Sequence, residues 1–242
     1  VCAIRAAQLG MRVACVERRE TLGGTCLNVG CIPSKALLQS SEKFAEAGHA
    51  LADHGVVVQG VSLDLARMQA RKGEVVKANV DGVAFLFRKN KVTWLKGKGR
   101  IAAPGKVEVA GETYEARHIV IATGSESMPL PGGEIDERAV VTSTGGPPLD
   151  AGPKRMVVIG GGYIGLELGS VWRRLGAEVT VVEFLDRIVP TMDGEVAKHF
   201  QRILGKQGLA FRLGTKVTSA RKGNEGVTLA LEPAKGGAAE EI

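Results

Sequence analysis

Two cysteines in the first part of the chain, Cys26 and Cys31, have the residue type and spacing of a redox-active pair. Their C-x4-C spacing differs from the C-x2-C knuckles of structural zinc sites, and the isolated Cys2 and Cys15 do not complete a four-ligand set, so no metal site is predicted. We interpret Cys2 and Cys15 as small residues of apolar helix and strand faces. The pair itself is predicted to cycle between dithiol and disulfide.

A disulfide between these two cysteines requires a distorted backbone. In a regular α-helix, Cα atoms five residues apart are separated by ~8.7 Å, which exceeds the limit of roughly 7 Å for a disulfide. Gly30 and Pro33 are the residues that would permit the distortion. A thiolate at the start of a helix is also stabilised by the helix dipole. Lys35 follows Cys31 by one helical turn, which places an ammonium group on the same face as the thiol.

A glycine-rich motif in the second part of the chain, Gly160-x-Gly162-x-x-Gly165, predicts a dinucleotide-binding turn because it follows a strand-like apolar run and precedes a helical pattern. Gly160 would allow the tight turn, Gly162 the close approach of a pyrophosphate, and Gly165 the packing of helix on strand. The helix N-terminus would offer N–H groups to the anion. Glu183 follows at about the 20-residue spacing expected of a ribose contact, and an acid there favours NAD over NADP.

An internal repeat indicates a second unit of the same kind. Residues 9–17 align without gaps on residues 175–183 and share the pattern L-G-x-x-V-x-x-V-E. Both copies have the pattern of a helix closed by glycine, then a short strand ending in glutamate. Glu17 therefore takes the place of Glu183 and is predicted to contact the ribose of a second dinucleotide. The matching strand and glycine turn would lie upstream of Val1, so we expect the chain to begin just after the first glycine motif of a protein with two dinucleotide-binding units.

The remaining sequence places these motifs in an α/β fold. The predicted elements are helices over about 26–49 and 63–89, a β-rich region over 91–121 with a hairpin turn at Gly111-Glu112, and a Pro- and Gly-rich connection over 129–153. The net charge of +6 comes from scattered Lys and Arg without a nucleic-acid-binding motif, so no nucleic acid is expected as a partner. No apolar run approaches the ~18 residues of a membrane helix.

Two stretches together resemble the dihydrolipoamide dehydrogenases, which are class I pyridine nucleotide-disulfide oxidoreductases: GGTCLNVGCIPSKALL from Gly23 and GGGYIGLELGSVW from Gly160. The resemblance runs along essentially the whole chain. Glutathione and mercuric reductases share the cysteine pattern, but Leu27, SKALL and LELGSVW favour the lipoamide enzymes. The resemblance implies two Rossmann-like dinucleotide-binding domains of the three-layer ββα type. They are an FAD-binding domain over 1–150 without its first strand and glycine loop, and an incomplete NAD-binding domain over 151–242, with the C-terminal dimerisation domain absent.

The same resemblance implies roles for individual residues. Cys26 would be the interchange thiol toward the lipoyl group, Cys31 the thiol that contacts the flavin, and Lys35 the partner of Glu167 beside the flavin. The implied cofactor-binding residues are Glu17, Gly23, Gly24, Thr25, Lys35, Ala122, Thr123, Gly124, Gly160, Gly162, Tyr163, Ile164, Gly165 and Glu183. Among them, Ala122-Thr123-Gly124 is expected to end a buried strand over 118–121, and Tyr163 to lie on the nicotinamide side of the flavin.

The reaction implied by the resemblance is oxidation of protein-bound dihydrolipoamide by NAD⁺ through the disulfide and FAD. The implied partners are lipoyl domains and the core subunit of 2-oxo acid dehydrogenase complexes, and the full-length protein would be a homodimer in bacterial cytoplasm or a mitochondrial matrix. The family's catalytic His–Glu pair matches no histidine here, so the chain by itself is expected to be inactive. Two alternatives stay open: another two-cysteine flavoprotein reductase, of the glutathione or mercuric type, and a non-catalytic NAD-binding module.

Overall fold

The chain contains both helices and strands, as the sequence pattern of an α/β protein predicts. The computed structural model describes residues 1–130, 132–145, 152–224 and 226–242. Its α-helices are α1 (Cys2–Gln8), α2 (Gly24–Asn28), α3 (Cys31–Ala45), α4 (Leu65–Lys89), α5 (Tyr163–Arg174) and α6 (Gly194–Lys206). Its strands are β1 (Ala14–Glu17), β2 (Thr93–Lys96), β3 (Gly99–Ala103), β4 (Lys106–Val109), β5 (Glu112–Glu115), β6 (Arg155–Ile159), β7 (Glu178–Val182), β8 (Ala210–Arg212), β9 (Thr215–Gly223), β10 (Gly226–Pro233) and β11 (Glu240–Glu241).

The internal repeat closes its helix in the same way in both copies. The helix of each copy ends at a glycine in the left-handed region, Gly10 at φ +86° and Gly176 at φ +103°. In the first copy the N–H of Met11 donates to the carbonyl of Ala6 at 3.2 Å, and the second copy makes the corresponding bond at 3.0 Å. This closure satisfies the last carbonyls of the helix and turns the chain into the following strand. The helix–glycine–strand pattern is thus confirmed in both copies.

The first unit consists of Val1–Pro33 and Gly73–Glu126. Strands β1 and β2 form a parallel pair, and β3, β4 and β5 form an antiparallel sheet. The hairpin between β4 and β5 turns at Ala110 and Gly111, both with positive φ, one residue earlier than the predicted turn. A buried cluster of the first unit contains Leu22, Phe87 and Val92, and Ile4 of α1 and other apolar side chains pack against it.

The second unit consists of Ser34–Lys72 and Ser127–Ile242, except the undescribed residues within the second range. Strands β6, β7 and β8 form a parallel sheet in that order, with α5 and α6 as the connecting helices. This β–α–β–α–β arrangement is the mononucleotide-binding half of a Rossmann fold. Its core includes Leu166, Val181 and Ile188, which are almost completely buried. A separate antiparallel sheet contains β9, β10 and β11.

Three expectations from the sequence need correction. The segment 118–121 is exposed and is not a strand, because within the described residues no strand pairs with it. The helix expected over 26–49 is interrupted between α2 and α3, and its last residues form a π-helical turn, Glu46–Ala50. Cys2 is exposed, since α1 directs Ala3, Ile4 and Ala7 toward the core instead. Among the described residues, no helix is both long and apolar enough to cross a bilayer.

Candidate functional site

The two cysteines lie on consecutive helices that are separated by a sharp break. Cys26 is in α2, and Cys31 is the first residue of α3. A Cβ atom on Gly30 would lie 3.1 Å from the carbonyl oxygen of Thr25 and 3.2 Å from the Cα of Cys26, so a side chain there would force the two turns apart. Both cysteines are exposed. The structure therefore contains the backbone distortion that the spacing predicts, with Cys31 at a helix N-terminus.

The turn that carries Cys26 is fixed by residues that the sequence analysis missed. The amide nitrogen of Asn28 donates to the carbonyls of Leu22 (3.1 Å) and Gly24 (2.9 Å), while its amide oxygen accepts from the hydroxyl of Thr21 at 2.7 Å. Gly23 precedes the turn at φ +110°. An asparagine that closes a glycine-initiated turn was the available sequence signal.

Lys35 and Glu167 form the ion pair that the resemblance implies. The ammonium nitrogen of Lys35 is 2.6 Å from Oε1 of Glu167. The hydroxyl of Ser34 donates to the other carboxylate oxygen, Oε2, at 3.0 Å. The pair thus joins α3 to α5 within the second unit, and Ser34 is a further participant that the sequence analysis did not identify.

Two arginines hold the body of α3 by its carbonyl groups. The guanidinium of Arg71, on α4, donates to the carbonyl of Ala36 at 3.2 Å and to the side-chain oxygen of Gln39 at 2.5 Å. Arg174, near the end of α5, donates to the carbonyl of Leu38 at 3.4 Å. These contacts connect parts of the chain far apart in sequence, and no local pattern indicated them.

In the glycine turn before α5, each of the three glycines has the geometry that the motif predicts for its position. Gly160 has φ +104°, which a side chain would strain. A Cβ on Gly165 would lie 2.7 Å from the carbonyl oxygen of Gly160 and 2.7 Å from a methyl of Val158. Among the described residues, and apart from its two chain neighbours, no heavy atom lies within 4 Å of a Cβ built on Gly162, which is the N-cap of α5. The turn therefore leaves room for a ligand at a helix N-terminus, which suits a pyrophosphate.

Glu183 is aligned toward this turn by two backbone groups. Its Oε2 accepts from the N–H of Gly161 at 2.6 Å and its Oε1 from the N–H of Leu185 at 2.8 Å. In the repeat, Oε1 of Glu17 accepts from the N–H of Arg19 at 3.0 Å, which is the same local bond. Both carboxylates are thereby oriented as hydrogen-bond acceptors at the end of a strand.

The other predicted cofactor-binding residues are exposed or partly exposed. Tyr163 and Ile164 begin α5 with much of their side chains in solvent, and Gly24 and Gly124 have φ +67° and +76°. The segment containing Ala122, Thr123 and Gly124 is exposed throughout. A salt bridge of 2.5 Å between Arg18 and Glu126 connects the residue after β1 to the end of that segment. The binding roles of all these residues stay predictions.

Cys15 differs from the cysteine pair in its surroundings. It is half-buried against the core of the first unit, and burial, followed by the nearby Glu17 carboxylate, raises the pKa of its thiol. A raised pKa makes a thiol a poorer source of thiolate. Cys15 therefore fits the expected packing role. Within the described part of the chain, no group of three or more His, Cys, Asp or Glu side chains could hold a metal ion.

Comparison with known proteins gives consistent matches along the chain. The family model for pyridine nucleotide-disulphide oxidoreductases matches residues 1–240. Dihydrolipoyl dehydrogenase 3 from Pseudomonas aeruginosa is 57% identical over 99% of this chain and 52% of its own length. The mitochondrial dihydrolipoyl dehydrogenase of Pisum sativum is 54% identical over 98% of this chain and 48% of its own length.

A further relative and a solved structure extend these matches. Leghemoglobin reductase from Vigna unguiculata is 55% identical over 98% of this chain and 46% of its own length. The HOCl-induced flavoprotein disulfide reductase RclA from Escherichia coli superposes with a TM-score of 0.80 at 26% identity, over 99% of this chain and 51% of that one. The chain spans about half the length of the curated relatives that it matches.

Proposed function

The chain belongs to the pyridine nucleotide-disulphide oxidoreductase family, and from this premise we propose that it provides the redox disulfide and the dinucleotide sites of a dihydrolipoyl dehydrogenase. The observation that carries the proposal is the placement of Cys26 and Cys31 on either side of the break between α2 and α3. The identity of 54–57% to relatives named dihydrolipoyl dehydrogenase supports the substrate class.

The cysteine pair performs the exchange with substrate in this proposal. A thiolate of dihydrolipoamide attacks the sulfur of Cys26, the Cys26–Cys31 bond breaks, and the sulfur of Cys31 leaves as a thiolate. The second lipoyl thiolate then closes the dithiolane ring and releases Cys26. Two electrons have passed from the lipoyl group to the two cysteines, and the two thiol protons have passed to solvent or to a base. The exposed position of Cys26 allows a protein-bound lipoyl group to reach it.

The glycine turns and strand-end acids would hold the cofactors. Gly162 and the N-terminus of α5 would receive the pyrophosphate of NAD, and Glu183 would accept from its ribose hydroxyls. Glu17, Gly23, Gly24 and Thr25 would serve FAD in the same way, together with residues 122–124. When bound, FAD supplies the two-electron acceptor that passes a hydride to NAD⁺. Lys35 and Glu167 are assigned to the flavin side by the family resemblance.

The partners proposed for the whole protein follow from the same substrate class. They are lipoyl domains and the core subunit of 2-oxo acid dehydrogenase complexes, with a second copy of the protein as a dimer partner. The relatives include a Pseudomonas protein and a protein named mitochondrial. We therefore propose bacterial cytoplasm or a mitochondrial matrix as the location.

An anaerobic spectral titration tests this function. The purified chain is loaded with FAD and reduced with NADH, and wild type is compared with Cys31→Ser and with Cys15→Ser as the matched control. We expect a long-wavelength absorption band in wild type and Cys15→Ser that is absent from Cys31→Ser, because this band reports a thiolate beside the flavin. A band that survives Cys31→Ser contradicts the proposal.

The choice of substrate is tested on the same FAD-loaded protein. After NADH reduction, lipoamide, oxidised glutathione and Hg²⁺ are offered separately, and the loss of the band is followed. The chain by itself is not expected to turn over, so the loss of the band is followed as a single half-reaction. We expect lipoamide to discharge the band faster than the other two oxidants and Cys26→Ser to abolish that discharge. Preference for glutathione or Hg²⁺ would assign the chain to another two-cysteine reductase. Binding of NADH with no effect of either cysteine substitution would favour a non-catalytic module.

A further inference from the structure

The two carboxylate oxygens of Glu167 have different partners. Oε1 lies 2.6 Å from the ammonium of Lys35, and Oε2 accepts from the hydroxyl of Ser34 at 3.0 Å. Ser34 is 9% exposed, whereas the side chain of Lys35 is 59% exposed and that of Glu167 is 29% exposed. The buried hydroxyl and the exposed ammonium therefore hold opposite ends of one carboxylate.

The buried partner is the one that can fix the carboxylate in place. A largely exposed lysine pair contributes little by itself, because two long side chains lose conformational freedom and water screens the attraction. A hydrogen bond from a buried hydroxyl to a charged group contributes more than such an exposed ion pair. Serine has a single side-chain torsion, χ1, so it loses little conformational freedom when it forms this bond. The position of α3 is itself held by Arg71 on the carbonyl of Ala36. The Ser34 hydroxyl thus starts from a well-defined position.

We propose that Ser34 is a positioning residue for the Lys35–Glu167 ion pair. Its hydroxyl keeps Oε2 turned toward α3, and this leaves Oε1 directed at the lysine. Without the hydroxyl, the carboxylate is free to rotate into solvent, and the ammonium loses its fixed place one helical turn after Cys31. The effect on the redox site rests on the function proposed above. The effect on the ion pair does not.

Competitive acylation of lysines measures the ion pair directly and requires no cofactor. The folded chain is treated with a trace of acetic anhydride, and mass spectrometry compares the labelling of Lys35 with that of Lys43, an internal reference on the same helix. We expect Ser34→Ala to raise the relative labelling of Lys35 about 1.4-fold to fivefold, the range for loss of a surface ion pair. Glu167→Gln should raise it at least as much.

Two further variants separate positioning from packing. Ser34→Thr keeps the hydroxyl and should restore wild-type labelling. Ser170→Ala removes another buried serine hydroxyl, one that donates to the carbonyl of Leu166 at 2.7 Å, and should leave Lys35 unchanged. Circular dichroism confirms folding of each variant. If Ser34→Ala does not fold, Ser34→Cys preserves the volume with a weak donor and should give the same increase.

Unchanged labelling in Ser34→Ala beside increased labelling in Glu167→Gln would overturn the proposal, because Ser34 would then be a packed hydroxyl only. Unchanged labelling in both would also overturn it, since the ion pair would not restrain the lysine in solution.

A second measurement examines the redox link: the rate at which NADH reduces the FAD-loaded chain should change in Ser34→Ala and recover in Ser34→Thr. Altered labelling without altered reduction would retain the positioning role and separate it from the proposed function.

Discussion

Gly162 and Gly165 are three residues apart in one turn, yet alanine at the two positions should affect different properties, NADH binding at Gly162 and stability at Gly165. In Gly165→Ala the new methyl would lie 2.7 Å from a carbonyl oxygen and from a buried valine methyl, so strand and helix must separate. We expect a loss of about 1–3 kcal/mol in the free energy of unfolding. In Gly162→Ala the methyl meets no atom of the described residues within 4 Å other than its chain neighbours, and φ is −78°. That variant should keep nearly its full stability but bind NADH weakly, because the methyl occupies the ligand's approach.

Urea unfolding and NADH fluorescence titration measure the two effects separately. Gly205→Ala is the control, since it adds the same methyl within α6 with no atom nearby. It should raise stability by up to about 1 kcal/mol, the helix-propensity difference between glycine and alanine. Equal NADH binding by wild type and Gly162→Ala would show that the pyrophosphate does not approach this glycine.

The carboxylate of Asp136 connects the segment before β6 to the antiparallel sheet of β9, β10 and β11. Oδ1 of Asp136 accepts from the backbone N–H groups of residues 138, 139 and 140, and Oδ2 accepts from the ammonium of Lys222 on β9 at 2.5 Å. The Lys222 bond, followed by the three backbone bonds, holds the pKa of this carboxyl well below its usual range. The charged form of Asp136 therefore stabilises the folded state.

This lowered pKa determines the sign of a pH effect. The stabilisation is fully present above the unfolded-state pKa of about 3.9, and it is lost as pH falls through the lower folded-state pKa. We expect wild type to be more stable than Asp136→Asn at pH 6, with a difference that shrinks steadily below about pH 4. Urea unfolding from pH 7 to pH 2.5 measures it. Glu134→Gln, which replaces an exposed acid in the same segment, is the control, and its difference in stability from wild type should not shrink in this way. A stability difference between wild type and Asp136→Asn that stays constant from pH 7 to pH 2.5 would refute the explanation.

At the scale of the whole molecule, residue patterns predict features that are local and miss those that depend on distant partners; the Lys35–Glu167 pair was expected only from the family resemblance. The repeat, the glycine turn and the break after Cys26 were predictable because each depends on backbone limits within a few residues. The exposed state of 118–121 was not, because β-branched residues predict a strand whether or not another strand lies beside it. The Ser34 and Arg71 contacts join segments more than thirty residues apart, and no periodicity encodes them.

The second unit is assembled from separated segments of the chain, so its stability should depend on residues that precede the glycine turn. Leu37 of α3 is 1% exposed and packs with Met68 of α4 and Val171 of α5, so residues before the glycine turn form part of its core. We expect Leu37→Ala to lower the free energy of unfolding by about 2–5 kcal/mol. The amides of α5 should lose hydrogen-exchange protection together with those of α3, since one cavity borders both helices. Leu63→Ala, at an exposed leucine, is the control and should leave both unchanged. Loss of protection confined to α3 would show that this helix is an appendage of the Rossmann sheet and contributes nothing to its stability.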